Sequence, residues 1–277
     1  MSAIPPSATT AGATTASASG AAPLLPEEPE STATFRIWRG DASGGKYEDY
    51  STTITEGMVV LDAVHQIQAE SANDLAVRWN CKAGKCGSCS AEVNGKPRLM
   101  CMTRLNEIDT TAPVTIEPMR AFPLIRDLVA DVSWNFEVKK RMKKFKPRAP
   151  DAPDGSWRMS QKDVDRGQEF RKCIECYLCQ DVCHVLRDHH KHESFIGPRF
   201  FVHAAYLETH PLDTEDRLPE LKEAQGIGFC NITKCCTVVC PESIRITDNA
   251  IIPLKERVID EFYDPLAKLV KLFRRRS

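Results

Sequence analysis

Residues 1–30 contain no lysine and no arginine. With no basic opening and no compact apolar core behind it, this stretch does not read as a secretory signal peptide. It is rich in Ala, Ser, Thr and Pro, closes on Glu27, Glu28 and Glu30, and reads as a disordered tail. No apolar run in the chain approaches the roughly 20 residues that cross a bilayer. Net charge is also nearly absent, −1 over 277 residues, so nothing pulls the chain as a whole toward nucleic acid or anionic lipid. Core formers are not lacking: 42% of residues are hydrophobic and the length suits two domains. Twelve cysteines stand out against this background. Without an export signal they are expected in the cytoplasm as reduced thiols that bind metal.

The cysteines fall into three groups. Between the first two, seven of the ten residues from Lys139 to Arg148 are basic, and Pro147, Pro150 and Pro153 lie in or after that run. A domain junction is placed there, giving a first domain over 31–140 and a second over 141–277. In the first, Phe35 and Ile37 predict a strand from about Thr34, Gly44-Gly45 a hairpin turn, and Tyr50–Ile54 the return strand. Val60, Leu61, Val64 and Ile67 recur at helical spacing over 58–69. Ser90–Val93, Asn94-Gly95 and Arg98–Met102 predict a second hairpin, and Val114–Ile116 a further strand. The second domain reads as mostly helical. Ser160 and Asp163 resemble a capping box. Asp264-Pro265 suit the start of a last helix with Leu266, Leu269, Val270 and Phe273 on one face.

Cys81-x4-Cys86-x2-Cys89, with Cys101 after eleven intervening residues, has the plant-type ferredoxin spacing for a [2Fe–2S] centre. Three thiolates converge on two irons from one tight loop and the fourth comes from a neighbouring strand. Gly84 and Gly87 let the loop backbone approach closely, and Lys82 and Lys85 offset the cluster's negative charge. Zinc is the alternative, but zinc sites usually use two distant C-x2-C pairs.

Cys173-x2-Cys176-x2-Cys179-x3-Cys183 is the bacterial ferredoxin run, whose fourth cysteine serves the other cluster of a two-cluster domain. Cys240 is followed by Pro241, as that fourth cysteine usually is. The expected [4Fe–4S] ligands are therefore Cys173, Cys176, Cys179 and Cys240. Cys183, Cys230 and Cys236 remain for the second site, and Thr233 stands where a complete run would carry another cysteine. Three thiolates suit a [3Fe–4S] cluster. Cys235 is either a buried free thiol or a fourth ligand of a second [4Fe–4S] cluster; adjacent side chains diverge, which favours the free thiol.

These features resemble the iron–sulfur subunits of succinate dehydrogenase and fumarate reductase over about residues 33–262. The motifs that carry the resemblance are Arg78-Trp79-Asn80-Cys81, Gly84-Lys85-Cys86-Gly87-Ser88-Cys89, the stretch Pro123–Val129, Phe195-Ile196-Gly197-Pro198 and Cys236-Thr237-Val238-Val239-Cys240-Pro241. The resemblance implies an α+β chain, a plant-type ferredoxin (β-grasp) domain followed by an all-α two-cluster ferredoxin-like domain. It implies [2Fe–2S], [4Fe–4S] and [3Fe–4S] cofactors that carry electrons from an FAD-containing flavoprotein subunit to a quinone beside membrane anchor subunits. The chain itself would be peripheral on the cytoplasmic face of the membrane, have no catalytic residue for the dicarboxylate and no nucleic-acid partner. The reverse, quinol:fumarate direction and service to another flavoprotein dehydrogenase are the alternatives. Three positions depart from the family pattern: His184 replaces a common proline, Val185–Asp188 lacks a quinone-contacting tryptophan, and Asn231 replaces a histidine. The family's ubiquinone pocket therefore does not transfer, and menaquinone is the expected acceptor.

Two further clusters remain. His184, His189, His190 and His192 could serve quinone protonation or a metal, but a polar run of this kind is ordinarily a solvated loop. The basic run 139–148 has only Phe145 to stack on a base, which favours a connector over a nucleic-acid site. The basic end Lys271–Arg276 suits either lipid headgroups or a helix C-terminus.

Overall fold

The computed structural model describes residues 31–265. Strand β1 (Ser31–Asp41) alternates Phe35 and Ile37 inward and pairs antiparallel along its whole length with β2 (Gly44–Ile54). The turn between them is Ala42-Ser43, not Gly44-Gly45, and the reason is local. The Asp41 carboxylate accepts hydrogen bonds from both the Ser43 backbone and hydroxyl at 2.8 and 2.5 Å, closing the turn early. The glycines instead open β2, where Gly45 faces Gly40.

Helix α1 (Val60–Glu70) buries Val60, Leu61, Ala63, Val64 and Ile67. The second hairpin is β3 (Ser90–Val93) and β4 (Lys96–Leu99). Its two-residue turn has Asn94 and Gly95 at φ 49° and 69°, the left-handed pair that matches strand twist. The return strand therefore starts earlier than Arg98. Strand β5 (Val114–Glu117) runs parallel to β1 at the sheet centre; β6 (Leu124–Arg126) and β7 (Val129–Ala130) finish one edge. The order β4-β3-β5-β1-β6-β7, with β2 also on β1, makes the expected mixed domain.

From α2 (Ser133–Arg141) onward the described residues are helical: α3 (Gln161–Arg171), α4 (Leu178–Asp181), α5 (His184–Arg187), α6 (Pro198–Glu208), α7 (Leu218–Glu223), α8 (Cys235–Val238), and a π-helical turn (Ile246–Ile251) running into α9 (Ile252–Phe262). Ser160 caps α3 as its sequence predicts, its hydroxyl oxygen accepting from the Asp163 N–H at 3.2 Å. The apolar stripe from Leu266 and the basic end Lys271–Arg276 lie outside the described residues. Among the described residues no helix is long and apolar enough to cross a membrane.

Two cores interlock. The first gathers Phe35, Ile37, Leu61, Ile67 and Ile116 and includes Cys176 and Leu178. The second gathers Phe195, Phe200, Phe201, Ile246 and Ile251 and includes Met119, Phe122, Val138 and Met142. The basic run is pinned between them and its surroundings. Lys139 pairs with Glu175 at 2.6 Å and Lys143 with Glu215 at 3.2 Å. Arg217, only 1% exposed, donates to the carbonyls of Lys143 and Lys144 at 3.1 and 2.6 Å and pairs with Asp213 at 2.9 Å.

Candidate iron–sulfur sites

All twelve cysteines are free thiols. The loop from Cys81 to Cys89 is coiled by left-handed backbone at Lys82, Gly84 and Gly87, which turns its N–H groups inward. Ala83 and Lys85 donate to the Cys81 sulfur at 3.4 and 3.3 Å, and Ser88 to the Cys86 sulfur at 3.5 Å. Cys101, just past β4, donates its N–H to the Cys89 sulfur at 3.5 Å. At Cys86 burial opposes ionisation, but the bonds from Ser88 and Cys81 outweigh it and bring the thiol down to about 6. Cys89 is buried and pushed up to about 12. Backbone donors trained on sulfur are what an anionic cluster needs.

Cys173, Cys176, Cys179 and Cys240 line one cavity with Ile174, Val202 and Ile246. Burial pushes the thiols of Cys176, Cys179 and Cys240 upward, Cys176 to about 12. Four sulfur donors converge on one largely apolar cavity, and a coordinating metal deprotonates such thiols outright. The [4Fe–4S] group therefore fits the residues present.

At the third group, Cys183 is buried and lies within electrostatic reach of Cys235 and Cys230. Burial pushes it up to about 12. Cys236 is buried, and its thiol is driven up first by its hydrogen bond with Cys235 and then by burial. The expected divergence of Cys235 and Cys236 is not what the structure shows. Lys234 is left-handed at φ 62°, so the short helix α8 starts abruptly and the two thiols meet. Thr233 Oγ lies 3.2 Å from the Cys235 sulfur. Contact with Cys236, Thr233 and His184 brings the Cys235 thiol down to about 5 against the opposing effect of burial.

The three sites are close neighbours. A Cβ on Gly87 would fall 2.6 Å from the Cys176 Cα, so the two-iron loop touches the wall of the four-thiol cavity. Ser90 bridges them, its hydroxyl bonding to the carbonyls of Gly87 and Cys176 at 2.9 and 2.8 Å. Cys179 in turn lies close enough to Cys236 to raise its thiol.

The histidines separate. His189 and His190 are exposed, as a solvated loop predicts. His192 is not in that loop's class: its Nε2 lies 2.8 Å from the Ala121 carbonyl and its ring packs edge-on against Trp134 at 4.8 Å. Burial lowers its proton affinity. Two features had no signal in the sequence. Asp181 is buried with its carboxylate accepting from the Ala121 N–H at 3.0 Å, beside buried Glu92, which pairs with Arg187 at 3.2 Å. Arg199 is buried in the wall of the four-thiol cavity.

A family described as "2Fe-2S iron-sulfur cluster binding domain" matches residues 34–137, and one described as "4Fe-4S dicluster domain" matches residues 169–244. Fold and thiols together thus define an iron–sulfur protein with one two-iron domain and one two-cluster domain. The fumarate reductase iron–sulfur subunit of Mycobacterium tuberculosis is 32% identical over 206 residues, covering 73% of this chain and 82% of the relative. The succinate dehydrogenase iron–sulfur subunit of Bacillus subtilis is 28% identical over 236 residues, 79% and 89%. A chain of the solved Mycobacterium smegmatis Sdh1 complex in the apo form matches with a TM-score of 0.81 at 57% identity, over 84% of this chain and 98% of that one. The chain belongs to the family of succinate dehydrogenase and fumarate reductase iron–sulfur subunits. It is an oxidoreductase subunit whose cofactors are [2Fe–2S], [4Fe–4S] and [3Fe–4S] clusters.

Proposed function

We propose that this chain relays electrons one at a time between an FAD-containing flavoprotein subunit, which acts on succinate, and a quinone held at membrane anchor subunits. The bound clusters supply reversible one-electron chemistry, which splits a two-electron flavin reaction into single transfers. The ligand sets are Cys81, Cys86, Cys89 and Cys101 for [2Fe–2S], Cys173, Cys176, Cys179 and Cys240 for [4Fe–4S], and Cys183, Cys230 and Cys236 for [3Fe–4S]. Cys235 is read as a hydrogen-bonding neighbour of the third site, its sulfur 3.2 Å from the Thr233 hydroxyl, and not as a ligand. The domain junction is placed near 140, and the subunit sits peripherally on the cytoplasmic face of the membrane.

The observation that carries this reading is the contiguity of the sites, Gly87 against Cys176 and Cys179 beside Cys236. Electron transfer weakens steeply with distance, and a relay needs such neighbours. Likeness to a chain of the Mycobacterium smegmatis Sdh1 complex supports a multisubunit setting. The replacements at His184 and Asn231 support menaquinone over ubiquinone. Likeness to the Mycobacterium tuberculosis fumarate reductase subunit favours a second reading, quinol-driven fumarate reduction. Purified native complex decides both. Succinate should produce two-iron and three-iron EPR changes, and dithionite should add the four-iron signal. Faster fumarate reduction by menaquinol than succinate oxidation by menaquinone would favour the second reading, and a complex lacking acid-labile sulfide would end the first.

A further inference from the structure

A cation faces the four-thiol cavity. Arg199, second residue of α6, is 5% exposed and lines the cavity with Cys173, Cys176, Cys179 and Cys240. Its Nη2 pairs with Glu175 at 2.6 Å, while its Nε is buried and has no hydrogen-bond partner within the protein. Its charge falls on the sulfurs of Cys173 and Cys179. Glu175 does not neutralise it, because the same carboxylate oxygen also pairs with Lys139 at 2.6 Å. Two cations share one anion, and the other carboxylate of the wall, Glu242, is paired with Lys85 at 3.2 Å, so the buried charge of Arg199 is left in excess.

A buried donor left unsatisfied is costly, and an uncompensated buried cation is more so. A cluster with anionic thiolates and sulfides would satisfy both. We propose that Arg199 is a tuning residue that directs its Nε–H and its charge at the [4Fe–4S] cluster, raising that cluster's reduction potential. The proposal rests on the ligand set given above. The physical basis is Coulombic. A [4Fe–4S] cluster held here would accept one electron from the reduced two-iron centre with no bond broken and no proton moved, so its site would gain one negative charge. A fixed positive charge in a low-dielectric wall favours that state, and hydrogen bonds to cluster sulfurs act in the same direction. The pair Glu175 and Lys139 sets how much of the charge is felt.

The test is an EPR-monitored redox titration of the assembled complex carrying Arg199→Gln, Arg199→Lys or Glu175→Gln, with iron content measured on each. Arg199→Gln should lower the [4Fe–4S] midpoint by at least a tenfold change in the reduction equilibrium, about 59 mV for one electron. Arg199→Lys should restore more than half of that loss. Glu175→Gln should raise the midpoint, an opposite sign that loss of packing would not produce. The [2Fe–2S] midpoint should stay in place. Arg199→Gln and Glu175→Gln both moving the midpoint the same way, or neither moving it at full iron content, overturns the proposal. If Arg199→Gln does not assemble, an unmoved midpoint in Glu175→Gln overturns it alone. Cys240→Ser separates the underlying reading: an unchanged [4Fe–4S] signal there would sink the ligand set rather than the role of Arg199.

Discussion

The hydroxyl of Ser90, on the first strand of the second hairpin, donates to the carbonyl of Cys176 across 2.8 Å, joining the two-iron domain to the wall of the four-thiol cavity. Its neighbour in this contact is Gly87, held at φ 70° with Cys176 directly against it.

Ser90→Ala should cost about 1 kcal/mol, the usual worth of one such bond. Gly87→Ala should cost more, because an L side chain at that φ is strained by about 1–2 kcal/mol before any clash. Thermal unfolding of both variants checks the order. The Gly87 variant should also slow reduction of the [4Fe–4S] centre by succinate. Equal, small losses in both would mean that the close approach is unimportant.

Each ligand group should fail separately. Cys101→Ser should remove the two-iron signal, Cys240→Ser the four-iron signal and Cys236→Ser the three-iron signal. Cys235→Ala should keep all three, with full iron per chain, because Cys235 stands outside the proposed ligand sets, its sulfur 3.2 Å from the Thr233 hydroxyl. EPR with iron analysis reads all four variants, and loss of the three-iron signal in Cys235→Ala would make that cysteine a ligand.

Arg217 fastens the basic run to the second core through the carbonyls of Lys143 and Lys144 and through Asp213. Arg217→Met would strand the buried Asp213 carboxylate without its cation, while Glu208 keeps Arg257 at 3.0 Å. Breaking such a pair costs roughly 3–5 kcal/mol, enough to undo assembly of the second domain. Urea unfolding should register the loss, and a cost below about 1 kcal/mol would place Arg217 with ordinary surface pairs.

His203 on α6 supplies a pH dependence. Burial first, then the cations Arg199 and Lys139, push its proton affinity down to about 4 from 6.5. The unfolded imidazole takes a proton below 6.5 while the folded one resists. Stability from this group is therefore present above 6.5 and drains away as pH falls toward 4. The loss is on the order of 1–3 kcal/mol. His203→Gln should flatten the unfolding midpoint between pH 7 and 5 relative to the parent; an identical slope in both proteins would exclude His203 as the source.

His189 and His190 should be replaceable together by glutamine with no change in stability or quinone reduction. His192→Ala should cost about 1 kcal/mol for its bond to the Ala121 carbonyl, with further loss of contact to Trp134. Differential unfolding and a menaquinone assay separate the two cases.

Cysteine spacing, the Asn94-Gly95 turn and the Ser160 cap are all local rules, and each is legible in the chain. What escapes depends on distant partners or on fine backbone geometry. The Gly44-Gly45 pair has the composition of a turn, but Asp41 bonding to Ser43 closes the chain two residues earlier. The meeting of Cys235 and Cys236 follows from one left-handed residue, Lys234, that no periodicity announces. Helices α4, α5 and α8 are four residues each, too short to show a repeat. His192 has the local sequence of a loop because Trp134 and Ala121, which bury it, lie at least 58 residues away. Arg199 follows Gly197-Pro198 at a helix start, where a charge ordinarily faces water. Its burial comes from a cavity wall built by residues on both sides of it in sequence.

The exchange of residues between the two cores has a mechanical consequence. Cys176 and Leu178 are packed among the residues of the first core, while Met119 and Phe122 are packed among those of the second. The halves cannot rock apart without tearing hydrophobic contacts from both sides. The separations between the three cysteine groups are accordingly held by apolar contacts made from both cores.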